Sequence, residues 1–236
     1  MIKQQKQQGM TLIEIMISLL IGVFLIGGVL QIFINTRQTY RMQENLSGMQ
    51  ENGRFALSFF SNDMRMADFR ECPTSPSVAT AVAGTNDAGL NGSDTITVTW
   101  QDSACGAATT QIRIYSIQAG AGGQPALFRK VDAVPPPPPV VEMVEGIENM
   151  QILYGEDTDS PTDGTPNYYV PANQVVDMSR VISIRVSLLV RSIDDNLTTA
   201  PRAYNYPLPS SAATTPGDKR LRRIFTSTIA LRNRLP

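Results

Sequence analysis

Residues 9–34 read GMTLIEIMISLLIGVFLIGGVLQIFI, and this stretch decides how the chain folds. From Ile15 to Thr36 no residue is charged. About 22 residues at 1.5 Å rise make a rod of roughly 33 Å, enough to cross a bilayer core of about 30 Å. A secretory signal is shorter, with about 7–15 apolar residues before an A-x-A-like site. Here Asn35-Thr-Arg-Gln38 follows instead. One acid, Glu14, stands near the start of the run, after a polar leader carrying Lys3 and Lys6. A carboxylate in a lipid-facing helix costs roughly 2.5–3.5 kcal/mol at the centre and less near an end. Glu14 therefore either reaches the headgroups or finds a partner. Lys3 and Lys6 on one side balance Arg37 and Arg41 on the other, so charge alone does not orient the span.

Outward from the span, the helix is predicted to continue, because residues 37 to 69 contain no proline. At 100° per residue Leu46, Met49, Gly53, Ala56, Leu57, Phe60, Met64 and Ala67 share one stripe. Phe55, Phe59, Met66 and Phe69 fall on roughly the opposite face. A helix apolar on two faces needs cover on both: its own globular domain on one, a loop or a neighbouring subunit on the other. Gly22, Gly27 and Gly28 soften the apolar half by about 1 kcal/mol each relative to Ala. Ser18 and Gly22 form a small-xxx-small pair suited to close helix contact.

Beyond Cys72 the texture turns to Ser, Thr, Gly, Pro and short alternating runs. Asp94 to Trp100 alternates cleanly after an Asn91-Gly92 turn, and Gln111 to Ile117 and Ala126 to Lys130 read as further strands. Cys72 and Cys105 are the two cysteines, and in an exported body they suggest one disulfide tying the helix end to the sheet. Two buried free thiols are the alternative. Pro135 to Pro139 predict an extended polyproline connection. Asp157, Asp159 and Asp163-Gly164 suggest either an acidic solvent loop or, less directly, a calcium site without the terminal bidentate Glu. Val181 to Val190 is the best strand, with Ile182, Ile184, Val186, Leu188 and Val190 on one face. Thr198 to Lys219 reads as a proline-rich loop containing Tyr204 and Tyr206. Arg220, Arg222 and Arg223 suggest a solvated strand edge before a last strand at about Ile224 to Leu231.

Composition narrows the function. A net charge of −1 gives no global field for nucleic acid. There is no histidine, which removes the commonest general base and metal ligand. No G-x-S-x-G, P-loop or zinc-type cysteine cluster occurs. An enzyme is not expected, and neither is a cofactor.

The leader ending at Gly9, followed by M-T-L-I-E and an apolar run, resembles a type IV prepilin signal. The resemblance implies that a prepilin peptidase cuts after Gly9 and methylates the new amine of Met10. It also implies that Glu14 pairs with the amine of a neighbouring subunit. Three further blocks are similar to the PilW family of minor pilins: Arg37 to Leu57, with RQTYRMQENLS and MQENGRFAL; Val144 to Asp159, V-E-G-x-E-x-x-Q-x-x-Y-G-x-D-T-D; and Phe225 to Arg234, FTSTIALRNR.

The expected fold is therefore α+β and type IV pilin-like: a long N-terminal helix, half membrane and half amphipathic, on an antiparallel β-sheet domain. The expected divisions are 1–9 leader, 10–35 transmembrane helix, 36–70 amphipathic continuation and 71–236 β-rich globular domain. The resemblance implies a subunit of a pilus tip and initiation complex, beside other minor pilins, the major pilin and a tip adhesin, supporting adhesion, twitching motility or DNA uptake. It would sit in the inner membrane with its globular domain in the periplasm, then at the pilus tip. A type II secretion pseudopilin shares the leader and helix but not the Tyr154–Asp159 block. A single-span anchored binding protein is the rival from another class.

Overall fold

The computed structural model describes residues 9–72, 78, 80–102, 105, 109–132, 140–207 and 213–235. The leader before Gly9 and the proline run 135–139 lie outside them. The chain divides into two compact units, residues 1–44 and 45–236.

One helix, α1 (Leu12–Met64), begins in the first unit and ends in the second. Its apolar part carries no Pro, and its most apolar stretch is not buried by the chain itself. That helix is long and apolar enough to cross a membrane. The part within the second unit is amphipathic. Met49, Gly53, Ala56, Phe60 and Met64 are buried at the spacing the stripe predicts. Gly53 permits the closest approach, because a Cβ there would lie 2.6 Å from the Phe225 ring. Phe55 stays 52% exposed and stacks edge-on against Phe59 at 4.4 Å, whereas Met66 and Phe69 pack onto the core. The helix ends at Met64, short of the expected residue 70, so Met66 and Phe69 lie in the exit segment and only Phe55 and Phe59 remain on the second face of the helix.

The globular unit holds two antiparallel sheets rather than one. The first is a meander of β1 (Val82–Thr85), β2 (Thr95–Gln101), β3 (Thr110–Ala119), β4 (Pro125–Asp132) and β5 (Val140–Glu145). The second has β6 (Ile147–Glu156), β7 (Tyr168–Val170), β8 (Val181–Arg191) and β9 (Arg222–Ala230), in the order β7-β6-β8-β9. Gly146, at φ +78°, carries the chain from one sheet to the other. Its N–H donates to the Pro125 carbonyl and its own carbonyl accepts from Arg191. A side chain there would be strained by the backbone angle and would press on the Arg191 carbonyl.

Inner faces of both sheets meet the helix stripe. Register places Met150, Leu188 and Phe225 side by side, then Tyr154, Ile184 and Ile229. From the first sheet, Tyr115 packs its ring 5.3 Å from Phe60 and donates to Asp63 Oδ2 at 2.6 Å. Burial, and then the Asp63 carboxylate, push the Tyr115 phenol well above its ordinary pKa. Arg129 reaches the same Asp63 oxygen at 3.5 Å. The strand β8 is buried on both faces, because Ser183 and Ser187 on its outer side are only 6% and 8% exposed. Their hydroxyls meet Tyr169 Oη and Thr226 Oγ1, so buried polarity is satisfied there.

A second tie between the sheets runs through Asp94, which is 1% exposed. Its N–H donates to Met150 O, while its carboxylate accepts from the N–H groups of Ile152 and Asp87. Burial raises its carboxyl from 3.8 to about 6, against the lowering effect of those two N–H donors and with help from the nearby Asp87 charge. A folded-state value above the unfolded one means stability that is full below about pH 4 and lost as pH rises through about 6. That span corresponds to about 3 kcal/mol. Asp94→Asn does not titrate, but it sets an amide donor against a backbone donor. Its deficit relative to wild type should therefore be largest near pH 4 and shrink by about 3 kcal/mol towards pH 7. Urea unfolding of both proteins across that range checks it; a gap constant with pH would show Asp94 unperturbed.

Candidate assembly site

In the first unit, Gly9 and Met10 are exposed and precede the helix. The Thr11 carbonyl accepts from the N–H groups of Glu14 and Ile15 at 3.1 and 3.3 Å, which starts α1. Glu14 thereby falls in the first turn, five residues beyond Gly9 and one turn from Met10. First-turn N–H groups and the helix dipole favour an anion at this end. Ser18 Oγ donates to the Glu14 carbonyl at 2.7 Å, so the hydroxyl is satisfied along the helix. The side chains of residues 10 to 21 are all exposed, and Glu14 stands among Met10, Ile13, Ile15 and Ile17. The arrangement is a carboxylate set in an apolar surface, one turn from the junction that would supply an amine.

Cys72 and Cys105 form a disulfide, with Cα atoms 5.1 Å apart and a sequence separation of 33. Cys72 is buried and Cys105 exposed. The segment leaving α1 is laid against the end of β2: Asp68 N donates to Thr99 O, Gln101 N to Phe69 O and Glu71 N to Gln101 O. The disulfide therefore fastens the helix exit to the β2–β3 connection, as expected from the cysteine positions.

Asp157, Asp159 and Asp163 come together, with one carboxylate oxygen of each within 4.8 Å of the others. The loop is not simply a solvated one. Asp157 is 1% exposed and accepts from the N–H groups of Asp159 and Gly164, while Asp163 accepts from Thr165 N and Asp159 from Asn167 Nδ2. These bonds give the acids a structural use in folding the loop. Beside it Glu156, fully buried, accepts from Tyr168 Oη and from the N–H groups of Val176 and Asp177.

Of the arginines near 220, Arg223 is exposed on the edge strand β9 as expected, whereas Arg222 and Arg220 are not solvated. The Arg222 side chain is 5% exposed and is held by two carboxylates. Its Nε and Nη2 donate to Glu148 at 2.6 and 3.0 Å, and Nη1 and Nη2 to Asp218 at 2.6 and 2.8 Å. Arg222 keeps the Asp218 carboxyl below its usual range. Arg220 donates to the carbonyls of Ser192 and Ile193, and Arg223 lies over the Phe225 ring at 5.5 Å. Sequence reading missed this network because Glu148 is 74 residues away from Arg222.

Two family models match the chain. One, described as type IV pilus-assembly protein W, matches residues 114–233, just over half of the 236 residues. The other, the prokaryotic N-terminal methylation motif, matches residues 4–30. No curated protein and no solved structure gives a match.

Proposed function

Because this chain belongs to the family of type IV pilus-assembly protein W, we propose that it is a minor pilin that helps initiate the pilus and stays at its tip. Before assembly it is held by α1 in the inner membrane, with the globular unit in the periplasm. A prepilin peptidase cuts after Gly9 and methylates Met10. The subunit then joins other minor pilins, the major pilin and a tip adhesin, and through the pilus supports adhesion, twitching motility or DNA uptake.

The observation that supports this reading most directly is the bare helix: an apolar run that the chain leaves uncovered, with a single carboxylate one turn from the processed end. An apolar surface of this kind is covered by lipid before assembly and by other apolar helices after it. The Met10 amine of a neighbour supplies the charge that lets Glu14 enter such a bundle at low cost. The role is structural, with no reaction performed by the protein.

Glu14→Leu tests it. Membrane insertion should be unchanged or improved, since the cost of a buried carboxylate disappears. Cleavage after Gly9 should persist, seen by intact mass. Surface pili should fall, and co-purification with the other minor pilins should weaken. Normal piliation and normal co-purification would mean that Glu14 only reaches the headgroups and that subunit pairing lies elsewhere.

A further inference from the structure

A polar cleft of about 350 Å³ opens where the β1–β2 loop, the outer face of β6 and β8 and residues Tyr204, Tyr206, Pro207 and Thr214 meet. Its size is at the lower end of small-ligand sites, which run from about 300 to 1,000 Å³. Asp87, Asn91, Asn149, Gln151, Tyr204 and Tyr206 line it.

The three amides are locked by the protein on their nitrogen side. Gln151 Nε2 donates to Gly92 O at 2.7 Å and to Asp87 Oδ1 and Asn149 Oδ1 at 3.2 Å. Asn149 Nδ2 donates to Asn91 O, and Asn91 Nδ2 to Glu148 O. Two acceptors, Gln151 Oε1 and Asn91 Oδ1, are left with no hydrogen bond among the described residues. The aromatic wall is fixed as well. Tyr206 Oη donates to Ser187 O at 2.7 Å, and the Tyr204 backbone exchanges two hydrogen bonds with Thr214. The Arg222 guanidinium lies over one face of the Tyr204 ring, 5.3 Å from its centre.

This inventory selects a ligand class. Preset acceptors call for hydroxyl or amine donors and give nothing to a phosphate or carboxylate, which would also meet the Asp87 charge. Among the described residues no cation lines the cleft, and Arg222, over the Tyr204 ring, is held by Glu148 and Asp218. Both Asp87 oxygens already accept, from Gln151 and Asn86, so the carboxylate is partly spent for a cationic ligand too. Apolar lining is confined to Leu189, Pro207 and the ring faces, too little for a hydrophobic molecule. Neutral hydroxyls with an apolar C–H face match all of these.

We propose that this cleft binds a neutral carbohydrate, a mono- or disaccharide unit whose hydroxyls donate to Gln151 Oε1 and Asn91 Oδ1 while a C–H face lies on the tyrosine wall. The site is independent of the helix-mediated role of the N-terminal unit.

The test uses the full-length chain in lipid nanodiscs. Lactose, maltose and N,N′-diacetylchitobiose are the probes, with lysine amide as a cationic donor, read by saturation-transfer NMR and titration. At least one disaccharide should bind saturably. Gln151→Leu and Asn91→Gly should each weaken it by about tenfold or more, as expected when a directed hydrogen bond is lost. Asn91→Gly keeps the left-handed backbone at φ +57°, so it tests the side chain with the turn intact. Tyr204→Trp should retain binding and Tyr204→Leu lose it, a difference that general loosening of the loop would not produce. Three outcomes overturn the proposal: no disaccharide bound at up to about 10 mM, a weakness beyond any useful site; binding unchanged in both amide variants; or lysine amide bound in place of sugars.

Discussion

Arg222→Met should destabilise the folded chain by about 3–5 kcal/mol, the cost of removing one partner from a buried ion pair. The Arg222 side chain is 5% exposed, and the Glu148 and Asp218 side chains opposite it are 15% and 25% exposed. Truncating the arginine leaves two partly desolvated carboxylates facing each other. The loss is therefore more than one salt bridge. Combining Arg222→Met with Glu148→Gln and Asp218→Asn should restore most of it, because the stranded charges go with their partner. Urea unfolding in detergent micelles at pH 7 measures both variants. The sign with pH follows from Asp218, whose carboxyl is depressed by Arg222. Its contribution exists above the unfolded carboxylate range and is lost as pH falls through the folded value, so the deficit of Arg222→Met should narrow below about pH 4. A single variant within about 1 kcal/mol of wild type would mean that water screens the cluster after all.

The second large effect belongs to the disulfide. Opening a loop of 33 residues should cost about 3.5–4 kcal/mol in the chain-entropy account, a large share of a typical domain's stability. Cys72→Ser and Cys105→Ser should each lower the amount of subunit in the envelope, and the double variant should cost no more than either alone. Reductant should lower the unfolding midpoint of the wild type and leave the double variant unmoved. Equal midpoints with and without reductant would show that the hydrogen bonds from Asp68, Glu71 and Gln101 hold the helix exit unaided.

Much of the fold was legible in the sequence, for reasons that differ by element. The helix stripe from Met49 to Ala67 was readable because period 3.6 survives wherever one face is buried. Strands β2, β3, β4, β8 and β9 were readable from alternation and β-branched content. Strand β6 was visible as a motif without its conformation. A bulge between Ile147 and Asn149 breaks the alternation, and Glu, Met, Gln and Leu favour helix as readily as strand. The short β1 and β7 carry too few residues for a period to show. Of the candidate sites, Gly9, Met10 and Glu14 can be proposed from sequence because they fall within one short motif. The burial of Asp157, the ion cluster at Arg222 and the cleft beside Tyr204 cannot, because each depends on residues brought together from distant parts of the chain.

The two sheets have one more consequence, for the order in which the protein is made. All strands of the first lie between residues 82 and 145, and all strands of the second between 147 and 230. Among the described residues no strand of either is interleaved with the other along the chain. A chain whose globular unit is released in amino-to-carboxyl order can thus complete the first sheet by hairpin pairing before the second has all its strands. Nearest-neighbour antiparallel pairing keeps most loop closures short, which favours speed. The last strand to arrive, β9, carries the Phe225 ring that covers Gly53 of the helix. Until β9 docks, that stretch of helix lacks this cover, so its apolar surface closes only when the last strand has formed.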